Sequence, residues 1–95
     1  MFAVFVTFHV KPGHEKAFLE RMRRQAADSL AFEEACRTFE VWVKDDNANT
    51  VQLYELYDDA GAFDAHLQSS HFIAFAAEVE AMIEDRVLLT FDRKV

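Results

Sequence analysis

The stretch LYELYDDAGAFDAHLQSSHFIAF, residues 53–75, decides the fold. Its first five residues belong to a strand predicted over residues 50–57, which ends at the Asp58-Asp59 turn. Asp59 is placed to cap a short helix over residues 60–67, and Ser70 to cap a second helix from 71 to about 84. Two histidines, two tyrosines, a carboxylate and several phenylalanines therefore gather around one strand-to-helix corner. We interpret this corner as the lining of a small-molecule pocket.

The segments on either side complete a mixed α and β pattern. Residues 45–49 predict a hairpin turn between alternating strands at 36–44 and 50–57. Upstream, a strand at 2–10 is apolar on both faces for much of its length, and an amphipathic helix follows at 15–30. A last strand is predicted at 86–91. The order β-α-β-β-α-α-β predicts a single α+β domain over residues 1–95, with a ferredoxin-like split β-α-β fold. Its four-stranded antiparallel sheet carries the helices on one face.

The composition favours an apolar cavity or a partner subunit. Hydrophobic residues make up 52% of the chain and ten residues are Phe, which is much for a domain of 95 residues to bury alone. Since the helices cover one face of the sheet, we expect a homodimer through the open face. The net charge of −7 excludes a nucleic-acid or anionic-membrane surface, which needs clustered Lys and Arg.

Cysteine usage and hydropathy predict a cytoplasmic protein. The single cysteine, Cys36, excludes an internal disulfide, and we interpret it as a small strand residue rather than a nucleophile. The chain starts directly with MFAVFVTFHV, without the pattern of a signal peptide. No apolar run approaches the roughly 20 residues that a membrane span requires.

Several segments together resemble the antibiotic biosynthesis monooxygenase family of dimeric α/β-barrel proteins. The most specific are residues 53–59 (LYELYDD) and 62–72 (AFDAHLQSSHF), and residues 11–13 (KPG) and 33–41 (EEACRTFEV) also match. The resemblance implies a dimer with a pocket between sheet and helices. The activities that the resemblance makes possible are those of cofactor-independent monooxygenases of quinols and anthrones, an isomerase of a phosphorylated autoinducer, and haem-degrading enzymes. The haem branch fits poorly, because Trp42 lies on the second strand rather than near the second helix.

Four residues are candidates for the chemistry. At the first turn of a helix the dipole disfavours imidazolium, so His71 should be neutral and able to accept a proton, although it could merely pack at the helix entry. His66 faces either the cavity or solvent. Tyr54 and Glu55 lie on opposite faces of their strand, and hairpin pairing decides which one reaches the pocket. Glu55 could act as a base or orient a histidine, or it could form a salt bridge across the dimer, for example with Arg37 or Arg86.

The remaining candidates would bind the substrate. Phe39, Phe72 and Phe75 would hold a flat apolar ring, and His9 would be a second pocket or dimer-face group. We expect no metal, because His66 and His71 are five residues apart and do not share one helix face. That no cofactor is needed is what the family resemblance implies.

The sequence leaves three functions open. The first is cofactor-independent oxygenation of a small aromatic or quinol-type substrate, with molecular oxygen as co-substrate. The second is isomerisation of a small phosphorylated hydroxy-ketone, against which the scarcity of basic residues near the pocket corner weighs. The third is a dimer that binds a small ligand without turnover.

Overall fold

The computed structural model describes residues 1–44 and 47–95, with the backbone alone at residue 47. Four strands and three helices follow the predicted order. They are β1 (Phe2–Val10), α1 (Glu15–Phe32), β2 (Cys36–Lys44), β3 (Asn47–Tyr57), α2 (Ala60–Gln68), α3 (Ser70–Val79) and β4 (Ile83–Phe91), with one 3₁₀ turn (Glu80–Met82) before β4.

The sheet is antiparallel throughout and has the order β2-β3-β1-β4. The two central strands, β1 and β3, are neighbours in space although α1 and β2 separate them in sequence. This is the predicted ferredoxin-like arrangement, and the sheet of one chain is open rather than closed into a barrel. The pairing of β2 with β3 confirms the predicted hairpin. Two residues of the predicted turn, Asp45 and Asp46, lie outside the described residues.

The boundaries around α3 differ from the prediction. The helix ends at Val79 rather than near residue 84, because β4 starts earlier: Ile83 pairs with Val10, and the amide of Lys11 donates to the carbonyl of Met82. The cap at its N-terminus is Ser69, whose hydroxyl accepts a hydrogen bond from the amide of residue 72. Ser70, the predicted cap, is the first helical residue.

The helix α2 begins as predicted. The carboxylate of Asp59 accepts a hydrogen bond of 2.8 Å from the amide of Ala62, which satisfies one of the free N–H groups of the first turn. The backbone between the two caps, Asp59 and Ser69, therefore contains one short helix. A second helix starts at once in a new direction.

The two faces of the sheet have different surroundings. On one face, alternate residues of β1 and β3 pack under the helices, and Val4, Val51 and Tyr57 are fully buried. Phe18, Met22 and Ser29 of α1 are buried against this face, whereas Leu30 is exposed. The other face carries large apolar side chains that remain exposed in one chain: Trp42, Val87, Leu89 and Phe91.

Candidate functional site

A cavity of about 360 Å³ lies between the covered face of the sheet and the three helices. This volume is within the range of small-molecule sites. Phe39, Phe72 and Phe75 line it, as the sequence predicted, and so do two groups that can exchange protons, Glu55 and His66. The other lining residues are mostly apolar: Val6, Phe8, Met22, Gln25, Leu53, Phe63, Leu67, Ala76, Val79, Arg86 and Leu88.

Glu55 reaches the cavity because of the strand register. It lies opposite Val4 of β1 and Phe39 of β2, so it shares their buried face. Only 3% of the residue is exposed, and its carboxylate accepts a hydrogen bond of 2.6 Å from the hydroxyl of Tyr57. Burial raises the pKa of Glu55 to about 7, although the Tyr57 hydrogen bond opposes the shift. Both the protonated and the ionised forms are thus available near neutral pH.

His66 lies beside Glu55 on the same side of the sheet. Its Nδ1 is 2.9 Å from Oε2 of Glu33, and its Nε2 is 4.0 Å from Oε1 of Glu55. The ring stacks on Phe63 at a centroid distance of 6.0 Å. Burial lowers the pKa of His66, and the hydrogen bond to Glu33 only partly opposes this effect. His66 is therefore a neutral imidazole at pH 7 between two carboxyl groups.

His71 approaches the same carboxylate from the other helix. Its Nε2 lies 2.7 Å from Oε2 of Glu33, and its Nδ1 lies 3.1 Å from Nε2 of Gln25. His71 does not line the cavity, so it lies behind His66 as seen from the substrate space. The argument that the five-residue spacing keeps the two histidines apart does not hold. They belong to different helices, and the break at Ser69 turns both rings towards Glu33.

Glu33 is the polar residue of this site that the sequence did not indicate as a candidate. It directly follows α1, and its amide donates to the carbonyl of Ser29 at the end of that helix. The one signal that could have found it was its place in the family-like segment 33–41. No periodicity or spacing relates Glu33 to residues 66 and 71, since the contact is made between distant elements.

Tyr54 and His9, two of the predicted site residues, lie on the opposite face of the sheet. The ring of Tyr54 stacks on Phe5 at a centroid distance of 5.2 Å. His9 contacts Asp85 of β4 through its Nδ1. Neither lines the cavity, so Tyr54 is the strand residue that the pairing keeps out of the pocket, and the position of His9 fits its dimer-face alternative. Because side chains alternate along a strand, the register that brings Glu55 in turns Tyr54 out.

The basic residues near the site also differ from expectation. Arg37, one possible partner of Glu55 across a dimer, forms a two-pronged ion pair with Asp58 of its own chain, at 2.7 and 3.1 Å. Arg86 of β4 lines the cavity. The pocket is therefore less poor in positive charge than the sequence suggested.

Cys36 has the environment of a structural residue. It is 5% exposed, and burial raises the pKa of its thiol to about 11, with further contributions from Glu33 and Glu55. A thiol that stays protonated at neutral pH is a poor nucleophile. Separately, among residues 1–44 and 47–95, the structure has no helix long and apolar enough to cross a membrane.

Comparison with known proteins agrees with the fold. A protein from Nitrosomonas europaea, named a "putative antibiotic biosynthesis monooxygenase", superposes with a TM-score of 0.92 at 22% identity over 100% of both chains. A Caulobacter crescentus protein of the same name gives 0.91 at 21% identity, over 99% of this chain and 90% of that one. A Pseudomonas aeruginosa protein gives 0.88 at 21%, over 99% and 94%. The search of curated proteins found no match.

The sequence itself matches a family model over most of its length. The model describes antibiotic biosynthesis monooxygenases and covers residues 1–78, which include β1 to α3 up to the residue before its last. That span contains Glu33, Glu55, His66 and His71. The chain belongs to the antibiotic biosynthesis monooxygenase family.

Proposed function

We propose that the protein is a monooxygenase that oxidises a small aromatic or quinol-type substrate without a cofactor. The observation that carries this proposal is the pairing of a carboxyl group of pKa about 7 with a neutral imidazole at the wall of an apolar cavity. The apolar cavity can hold a flat ring, and the carboxyl group at its wall can remove a proton from that ring. Membership of the family supports the same reaction class.

The chemistry requires a substrate that supplies its own electrons. In an anthrone, for example, oxidation of the ring methylene to a carbonyl releases four electrons. These reduce O₂, so that one oxygen atom enters the product and the other leaves as water. The protein's task is to remove a proton and to stabilise the anion that then reacts with O₂.

Glu55 is the base in this proposal. With a pKa of about 7, it is roughly half ionised at neutral pH and strong enough to take a proton from an acidic ring position. The neutral ring of His66 donates its Nδ1–H to Glu33, so its Nε2, 4.0 Å from Oε1 of Glu55, has a free lone pair and can take the proton on from Glu55. The imidazolium so formed would stabilise the substrate anion. His71, the first candidate from the sequence, contacts Glu33 rather than the cavity, so its role is to position His66 through Glu33.

Arg86 supports a second candidate function. A guanidinium at a cavity that also contains a base suits the isomerisation of a small phosphorylated hydroxy-ketone. Glu55 would move the carbon-bound proton, and Arg86 would bind the phosphate. This reaction consumes no oxygen, and it would depend on Arg86 in a way that quinol oxidation would not.

We further propose that the protein is a homodimer through the open face of the sheet. Leu89, Val87, Phe91 and Trp42 are each more than half exposed on this face. Exposed apolar surface of this kind is typical of protein–protein interfaces. The mass of the native protein in solution, measured by light scattering or sedimentation, tests this assignment. A monomer at all concentrations would refute it.

The activity is tested by oxygen uptake on a panel of hydroquinones and anthrones, with protein treated with a chelator to remove metals. We expect uptake by the wild-type protein, and a loss in rate of about 10²–10⁴-fold in Glu55→Gln. Glu20→Gln, a substitution of the same type on the exposed side of α1, is the matched control.

No uptake above the spontaneous rate across the panel would refute the oxygenase. Isomerase activity that falls in Arg86→Ala would then establish the second candidate. Binding of panel compounds without either reaction would leave a ligand-binding dimer, in which Glu55→Gln changes the affinity at most.

A further inference from the structure

Three potential metal ligands converge at the end of α1. Oε2 of Glu33 lies 2.9 Å from Nδ1 of His66 and 2.7 Å from Nε2 of His71, and the three atoms all lie within 4.8 Å of one another. Ligand atoms bonded to one ion at about 2.0–2.1 Å are themselves separated by roughly 3 Å. We propose that Glu33, His66 and His71 form a binding site for a divalent transition-metal ion.

The donor set selects the class of ion. Two imidazoles and one carboxylate suit borderline ions such as Zn²⁺ and Co²⁺, whereas Ca²⁺ and Mg²⁺ prefer oxygen ligands. Three protein ligands also leave at least one position free for water or another small ligand.

The nitrogens that do not face Glu33 have polar neighbours of the kind that metal-binding histidines use. Nε2 of His66 points towards Oε1 of Glu55 at 4.0 Å, and Nδ1 of His71 faces the side-chain amide of Gln25 at 3.1 Å. Metal-bound histidines usually donate their other N–H to a carboxylate, carbonyl or water, which fixes the orientation of the ring. The ring of His71 is therefore held in place by Gln25, whereas the 4.0 Å between His66 and Glu55 is longer than a hydrogen bond.

The hydrogen bonds of the protein alone leave this cluster incomplete. Nε2 of His71 is buried and close to Glu33, but it lacks the geometry of a hydrogen bond, and Oε1 of Gln25 is buried without a partner. Rotation of the Gln25 amide by half a turn would bring Oε1 to accept from Nδ1–H of His71. The proton would then be absent from Nε2, and that nitrogen would present its lone pair to an ion beside Glu33. The rotation thus satisfies Oε1 of Gln25, and the ion satisfies Nε2 of His71.

The site is also accessible. The side chains of Glu33 and His71 are 16% and 14% exposed, while His66 is 3% exposed and lines the cavity. An ion can therefore reach the cluster from the surface near α1. The inference stands independently of the proposed oxygenase, because it concerns binding and not turnover.

The test is a calorimetric titration of chelator-treated, untagged protein with Zn²⁺, followed by the visible absorption spectrum with Co²⁺. We expect one ion per chain, and at least about 100-fold weaker binding in Glu33→Gln and in His71→Ala. Glu34→Gln, the exposed neighbour, and His9→Ala, which removes a histidine from another imidazole–carboxylate pair, should bind as the wild type does.

Two further measurements test whether Cys36 is a ligand and whether the wild-type protein binds the ion. Cys36→Ala should retain Zn²⁺ binding, and the Co²⁺ spectrum should lack a thiolate charge-transfer band, since Cys36 is not a ligand. If either site variant fails to fold by circular dichroism, displacement of Co²⁺ by Zn²⁺ in the wild-type protein still tests the site. Absence of binding to the wild type, or equal binding in Glu33→Gln, would overturn the proposal.

Discussion

Replacing Glu55 with Gln should change how the stability of the protein depends on pH. In the folded chain the carboxyl has a pKa of about 7, against an ordinary value of 4.5. As the pH rises from 4.5 towards 7, the unfolded chain loses this proton first, so ionisation favours unfolding. The stabilisation from a protonated Glu55 is thus complete at low pH and is lost as the pH rises to about 7. Gln resembles the protonated form in shape and cannot ionise.

The size of the effect follows from the two pKa values. Each pKa unit corresponds to about 1.36 kcal/mol, so the penalty on wild-type stability should increase by about 2.5 kcal/mol between pH 5 and pH 8. His66 contributes in the opposite sense below its ordinary pKa, but it is present in both proteins and largely cancels in the comparison.

Urea unfolding of metal-free wild type and Glu55→Gln at pH 5, 6, 7 and 8 measures the difference. We expect the unfolding free energy of Glu55→Gln to increase steadily relative to that of the wild type as the pH rises, and this difference to level off above pH 7. Glu20→Gln, on the exposed side of α1, should follow the wild type at every pH. A constant difference between Glu55→Gln and the wild type would show that Glu55 does not retain its proton in the folded chain, and the assigned base would be wrong.

Three other predictions address the cap, the open face and the thiol. Ser69→Ala should lower the unfolding free energy by about 1 kcal/mol through loss of the α3 cap, whereas Ser70→Ala, one residue into the helix, should cost less; equal losses in thermal melts would contradict the cap assignment. Leu89→Arg should convert the proposed dimer to a monomer in sedimentation, whereas Leu30→Arg, a similarly exposed leucine on α1, should not. Cys36 should resist alkylation at pH 8 until the protein is unfolded, because its pKa is about 11; rapid labelling of the folded protein would refute its burial.

Much of the fold could be predicted from local patterns. Alternation predicted the strands, the pairing of β2 with β3 followed from the turn-forming residues between them, and Asp59 marked the start of α2. These features depend on residues near one another in sequence, so they can be read without coordinates. The end of α3 could not, because the pairing of Ile83 with Val10 competes with helical hydrogen bonds and is a contact between distant segments.

Only part of the site could be predicted from the sequence. Its histidines and phenylalanines could be selected by type, and the family by the segments around them, since both are properties of the amino-acid order. Three facts required the tertiary structure: that Glu55 rather than Tyr54 faces the cavity, that Arg86 reaches it, and that Glu33 joins the two histidines. A register shift of one residue would reverse the first, and the third joins the end of one helix to two others. Local sequence determines which elements form, whereas the packing of distant elements decides which side chains meet.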